Sequence, residues 1–368
     1  MQLSIRLLGF LFLELCLQAC STRTEIFKET SGVIATESIA QLAPITLGGS
    51  EQWLLVRGVN KNNPVLLFLH GGPGSPYIGL ANAFQSELEK HFVVVQWDQR
   101  GSGKSFPNTS ASSMTVAQFE ADTHELVLWL RQRFQRDKIY LLGHSWGTYL
   151  GLAEAQQHPE NLYAYIGTGQ MIDLVQQEQL SHNFVTERAK VEHNEKALKQ
   201  LSEIGDPPYK NTVQGMNTKY SLLWEYGGML EGETGPYPFV MAMLKAKEYS
   251  LLDISRFVRG MSFSLEQLAN NEGENFWRLK APDPTIGFQV PVYFITGEHD
   301  HVTPLVLIDA YVSALKAPQK GSFVLPNAGH FVFFTDPKPF ARIMTRIVEN
   351  TYQKTLPEPM LPLQSAKQ

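Results

Sequence analysis

The feature that most limits what this chain can fold into is a set of short apolar runs, each closed by a glycine-bearing turn: "PVLLFLHGGPG", "HFVVVQWDQRG" and "KIYLLGHSWG". Apolar runs without polar alternation suit strands buried on both faces, and such strands occur in parallel sheets covered by helices. "QWLLVRG" precedes them, while "LYAYIGT", "VPVYFITG" and "GSFVLP" continue the rhythm. Helical stretches lie between. Thr115 to Phe134 sets Val116, Phe119, Leu126, Leu130 and Phe134 near helical spacing, and a second helix is predicted from Ser145 to about Gln157. "PKPFARIMTRIVENTYQ" closes the pattern with another helix. The class is therefore α/β: a mostly parallel central sheet flanked by helices, with right-handed crossovers.

Residues 171–285 break the rhythm. They are richer in Gln, Glu, Lys and Met, with helical periodicity and few strand-like runs, and read as an inserted helical cap. The core then comprises residues 45–170 and 286–353, and residues 354–368 form a flexible, proline-bearing tail.

Charge and cysteine usage exclude several classes of function. A net charge of −5 with no basic run argues against nucleic acid as a partner, because phosphate binding needs a positive patch. Both cysteines, Cys16 and Cys20, fall at the N-terminus, so no disulfide framework and no cysteine zinc site is expected. The apolar run Leu7–Leu17 is shorter than the roughly 20 residues of a membrane span and reads as a secretory signal within residues 1–20. "LQAC" resembles the lipobox of bacterial lipoproteins, in which Cys20 would be lipidated and would anchor the chain to a membrane of the cell envelope. Glu14 within the run and Gln18 within the box argue against it, and the alternative is a cytoplasmic protein.

Ser145 stands between Gly143 and Gly147, at the junction of a predicted strand and a predicted helix. A sharp turn there would lift its hydroxyl above the sheet edge. Such a nucleophile needs a base and an orienting acid later in the chain. Asp300 follows the strand "VPVYFITG", with Pro304 opening a helix, and His330 lies in "SFVLPNAGHF", after the last strand. His330 would take the serine proton and Asp300 would hold the imidazole, with Glu298 as a fallback acid. His299 and His301 hint at a metal pair, but no carboxylate cluster supports it, so neither a metal nor another cofactor is expected. The oxyanion donors would be the backbone N–H groups of Trp146 and of Gly72 in "HGGPG". "DQRGSGKS" fails as a phosphate loop because Asp98 stands where glycine is required; Asp98 and Arg100 are instead expected to brace this loop, beside the oxyanion strand, by charge-assisted hydrogen bonds.

Together, "HGGPG", "DQRGSGKS" and "GHSWG", with Asp300 and His330, resemble the proline iminopeptidase branch of the α/β-hydrolases, over roughly residues 45–170 and 286–350. The resemblance implies the α/β-hydrolase fold with a helical cap whose glutamates bind the substrate's free α-amine. Trp224-Glu225 is similar to the Trp-Glu pair of those enzymes, which makes Glu225 the candidate amine anchor. The family's second acidic motif, Glu beside Asn-His-Tyr, has no counterpart; "GMSFSLEQL" around Glu266 is a poor substitute. The expected activity is a serine hydrolase releasing an N-terminal residue from short peptides. An esterase, lactonase or thioesterase on the same triad is the alternative, with a non-catalytic binding protein third.

Overall fold

The computed structural model describes residues 22–29, 32–271 and 276–352. Cys20, the Leu7–Leu17 run and the tail from residue 354 lie outside the described residues. Among those described, no helix is long and apolar enough to cross a membrane.

Eight strands form one sheet: β1 (Ile39–Leu47), β2 (Ser50–Gly58), β3 (Val65–Leu69), β4 (Val93–Asp98), β5 (Ile139–His144), β6 (Leu162–Thr168), β7 (Val292–Gly297) and β8 (Lys320–Leu325). Their spatial order is β1-β2-β4-β3-β5-β6-β7-β8. β1 and β2 pair antiparallel, as do β2 and β4, and every other pairing is parallel.

The apolar runs become central strands because both their faces are covered. Val65, Leu67 and Leu69 of β3 point into one core, and Leu66 and Phe68 into the other. β5 divides likewise, with Ile139 and Leu141 on one side and Tyr140 and Leu142 on the other. Helices α1 (Val116–Phe134) and α2 (Trp146–Gln157) fill the first face through Phe119, Leu126, Leu130, Leu150 and Leu152. The sheet begins earlier than residue 45, the expected start of the core. β1 was invisible to the apolar pattern because it is a half-exposed edge strand that includes Pro44.

The helical insertion lies between β6 and β7. It comprises α3 (Leu174–Val191), α4 (Glu195–Ile204), α5 (Thr212–Glu225), α6 (Tyr237–Lys245) and α7 (Leu251–Ala269). α8 (Leu305–Ala314) and α9 (Pro337–Thr351) complete the core. α3 and α5 are joined by an ion pair between Glu178 and Lys219, 2.8 Å long with both side chains fully buried. α7 seats on the loop that follows β4. There Lys104 Nζ meets Asp253 at 2.9 Å and the Tyr249 hydroxyl donates to Asp98 at 2.6 Å.

Candidate active site

Ser145 occupies the turn between β5 and α2 with φ 51° and ψ −119°, a conformation that L side chains rarely adopt. The turn is enforced from below. A Cβ at position 147 would lie 2.2 Å from the Leu69 carbonyl oxygen and 2.7 Å from that of His70, so only glycine lets α2 approach β3 this closely. The Ser145 N–H donates to the Thr168 carbonyl at the end of β6 (3.1 Å), and its own carbonyl accepts from the Thr148 hydroxyl.

His330 and Asp300 arrive from the loops after β8 and β7. His330 Nδ1 donates to Asp300 Oδ2 at 2.9 Å, and both side chains are buried. Asp300 is held further by the backbone N–H groups of Val302 and Thr303 (2.9 and 2.8 Å) and by the Thr303 hydroxyl (2.7 Å). Burial alone would raise its pKa, but the His330 charge and hydrogen bond, together with Thr303, outweigh it and keep the carboxyl below its ordinary value. With Nδ1 committed to Asp300, Nε2 is the basic nitrogen of His330. Glu298, the fallback acid, is exposed and takes no part.

Ser145 and His330 line one cavity of about 150 Å³ with Gly72 and Pro73 of the "HGGPG" loop, the expected oxyanion loop. The rest of the wall is largely apolar: Met216, Tyr220, Met229, Met261 and Leu265 from the cap, and Val302 and Phe331 from the core. Asn217, Ser75 and Ser262 add uncharged polar groups, and no carboxylate lines the cavity among the described residues.

Gly72 has φ +119°, open to glycine, at the cavity wall. Trp146 opens α2, where the N–H groups of the first turn have no intrahelical acceptor, while its indole packs edge-on against Phe119. Three residues that sequence reasoning did not single out hold these two segments. Gln99 accepts from Trp146 Nε1 (3.1 Å) and donates through Nε2 to the His70 carbonyl (3.3 Å), tying the elbow to the oxyanion loop. Tyr77 accepts from the Gly71 N–H (3.1 Å) and donates to His144 Nδ1, and His144 Nε2 donates to the His330 carbonyl (3.0 Å). Burial, then the neighbouring His330 charge, push the His144 pKa well down, so its ring is neutral and fits this donor–acceptor pattern. The relay joins the oxyanion loop to the loop that carries His330. Only Gln99, inside "DQRG", had any local signal.

One expectation is corrected. Glu225 does not reach the cavity: it sits exposed at the end of α5 and accepts from Asn194 Nδ2 (3.1 Å). Adjacent helical residues point about 100° apart, and Trp224 takes the inward direction, meeting Phe239 edge-on. Asp98 and Arg100 hold their own loop in place, Asp98 Oδ2 accepting from the Lys104 N–H at 2.8 Å. Arg100 is buried in a bidentate pair with Asp122 of α1 (2.6 and 2.9 Å), and Asp98 faces the cap. His299 pairs with Glu231 (2.9 Å) and His301 stacks on Phe184, so the two do not converge. Glu266 is exposed.

Comparison with known proteins agrees with this architecture. Residues 64–197 match the α/β-hydrolase fold family. The chain is 35% identical over 314 residues to a probable aminopeptidase, YbaC, of Bacillus subtilis, covering 84% of this chain and 96% of that one. It is 33% identical to the proline iminopeptidase of Neisseria gonorrhoeae, over 110 residues that span 34% of that enzyme. Among solved structures, a proline iminopeptidase-related protein from Thermus thermophilus superposes with a TM-score of 0.60 at 21% identity, covering 85% of this chain and 98% of that one. The proline iminopeptidase of Mycobacterium smegmatis gives 0.61 at 18% identity, covering 85% and 99%. With the strand order, the serine turn and a relative matched along nearly its whole length, the chain belongs to the α/β-hydrolase family, in the branch of aminopeptidases related to proline iminopeptidase.

Proposed function

We propose that this protein is a serine hydrolase that forms an acyl-enzyme and releases the N-terminal residue from short peptides. The observation that carries the reading is the buried Asp300–His330 pair bordering the cavity that also holds Ser145 at a strained turn. Ser145 Oγ attacks the scissile carbonyl while His330 Nε2 takes its proton. The developing oxyanion is received by the N–H groups of Gly72 and Trp146, each such donor contributing about 2.7–4 kcal/mol to the transition state. The tetrahedral species collapses as His330 returns the proton to the leaving amine, and water repeats the sequence on the acyl-enzyme. A space of about 150 Å³ holds a group near the size of benzene, which suits one small residue rather than an extended chain. The aminopeptidase relative matched over 96% of its length supports the same reading.

One observation favours a second reading, an esterase or related acyl hydrolase. Without a lining carboxylate, a free amine would meet only neutral acceptors such as Asn217 Oδ1 and the Ser75 and Ser262 hydroxyls. The test is hydrolysis of prolyl- and alanyl-amides beside short acyl esters, each with Ser145→Ala as control. Amide turnover that needs Ser145 and falls when the amine is acetylated supports the aminopeptidase. Turnover of esters alone replaces it with the second reading, and activity that survives Ser145→Ala overturns both.

A further inference from the structure

Away from the cavity, where α1 packs on α2, three side chains of ligating type meet. His124 comes from α1, Glu154 from α2, and His158 from the position that ends α2. One nitrogen or carboxylate oxygen from each lies within 4.8 Å of the others. His124 Nδ1 is 3.1 and 3.2 Å from the two Glu154 oxygens, and the imidazoles stack with centroids 3.7 Å apart.

The arrangement sets a charge problem. Glu154 is only 4% exposed, and its ion-pair partner is the His124 imidazole rather than a lysine or arginine. A buried carboxylate is costly unless compensated. Protonating one ring would balance it but leave the other ring stacked on an imidazolium at 3.7 Å, and protonating both would set two like charges together. A single divalent cation is a further solution: it more than offsets the carboxylate and accepts one lone pair from each neutral ring.

The dimensions suit such an ion. Bonds of about 2.0–2.2 Å in tetrahedral geometry set neighbouring ligand atoms roughly 3.3–3.5 Å apart. The His124–Glu154 contact already approaches that spacing, and small rotations of His158 supply the rest. The side chains of His124 and His158 are 30% and 32% exposed, which leaves them room to rotate and opens a fourth position to water. Two imidazoles with one carboxylate suit zinc, whereas magnesium and calcium favour all-oxygen ligands. Glu154 and His158 are four residues apart and therefore share one helix face.

We propose that His124, Glu154 and His158 form a zinc-type divalent cation site that pins the far end of α2 to α1. Glu154 stands nine residues beyond Ser145 on the same helix, roughly 13 Å along its axis, so the ion would act on stability and not on turnover.

The full chain, stripped with chelator and dialysed, is titrated with zinc by calorimetry and with cobalt(II) by visible absorption. The expected result is one equivalent bound, a tetrahedral-type cobalt spectrum and a raised Tm, with unchanged hydrolysis of the protein's own substrate. His158→Ala, a partly exposed change, should weaken binding by roughly 100-fold or more and abolish the rise in Tm. His124→Gln provides a second reading if that variant folds poorly. No saturable binding to the wild type overturns the proposal and leaves a histidine–glutamate ion pair. Equal affinity and stoichiometry in both variants also overturns it, because the metal then binds elsewhere.

Discussion

Asp300 and His330 form a pair whose geometry depends on charge. With Asp300 ionised and bonded to Nδ1, the imidazole is fixed in the tautomer that leaves Nε2 basic. Asp300→Asn preserves the shape but favours the opposite tautomer, and kcat should fall by roughly 10⁴-fold with Tm little changed, read by steady-state kinetics beside calorimetry. Tyr77 acts at one remove. Tyr77→Phe would strip the donor from His144 Nδ1 and the acceptor from the Gly71 N–H, both buried. Leaving such groups unpaired costs about 1–3 kcal/mol each. Since the relay spans the oxyanion loop and the His330 loop, kcat should fall more than KM rises, and a purely structural role would lower Tm without that split. Glu225 shows the reverse situation at this scale, a residue chosen by its neighbour in sequence and turned to solvent by its phase on α5.

Among the elements, the β5–α2 junction carries the tightest constraint. The approach of α2 to β3 leaves no room at position 147, and the atoms a side chain would strike are backbone carbonyls that cannot swing away. Gly147→Ala should therefore cost about 1–3 kcal/mol or more in chemical denaturation and should displace Ser145 from the oxyanion loop, so that activity is lost while far-UV dichroism is kept. β3 and β5 were legible from sequence because burial on both faces demands apolar residues without alternation. β1 was not, since an edge strand with one half-exposed face has no such demand. The serine turn, the acid loop and the histidine loop were legible for a related reason: each follows directly on the end of a strand, where the local chain must carry the geometry itself.

For the whole molecule, the contact between cap and core is organised by the loop after β4. α7 crosses it so closely that a Cβ at Gly260 would lie 2.7 Å from the Gly101 carbonyl oxygen. Beside that crossing, Asp98 is fully buried, accepting through Oδ2 from Tyr249 and from the Lys104 N–H, while Oδ1 has no partner. Burial pushes its pKa up to about 7, opposed by the Tyr249 and Lys104 hydrogen bonds and the Lys104 charge and reinforced by the Asp253 charge. A raised carboxyl pKa means that the folded state holds its proton longer than the unfolded chain. The stability this confers is complete below the unfolded value near 3.8 and is lost as pH rises through about 7. Tm of the wild type should thus decline between roughly pH 4 and 7 relative to Asp98→Asn and level off above that, while the variant's profile should be flatter over the same range. Parallel profiles for the two proteins would show that Asp98 titrates normally.

By itself, the sequence determined the class of sheet, the serine turn and the positions of the acid and the histidine. Those features rest on interactions between near neighbours in the chain: apolar faces that must be buried, glycines that permit one turn, loops that end strands. Only the tertiary structure decided that Gln99 and Tyr77 hold the "HGGPG" loop, that Arg100 pairs with Asp122, that Glu225 faces solvent, and that His124 meets Glu154 and His158. Each of these depends on how one helix is rotated against another element, and that rotation is set by packing summed over whole faces, which no short stretch of residues encodes.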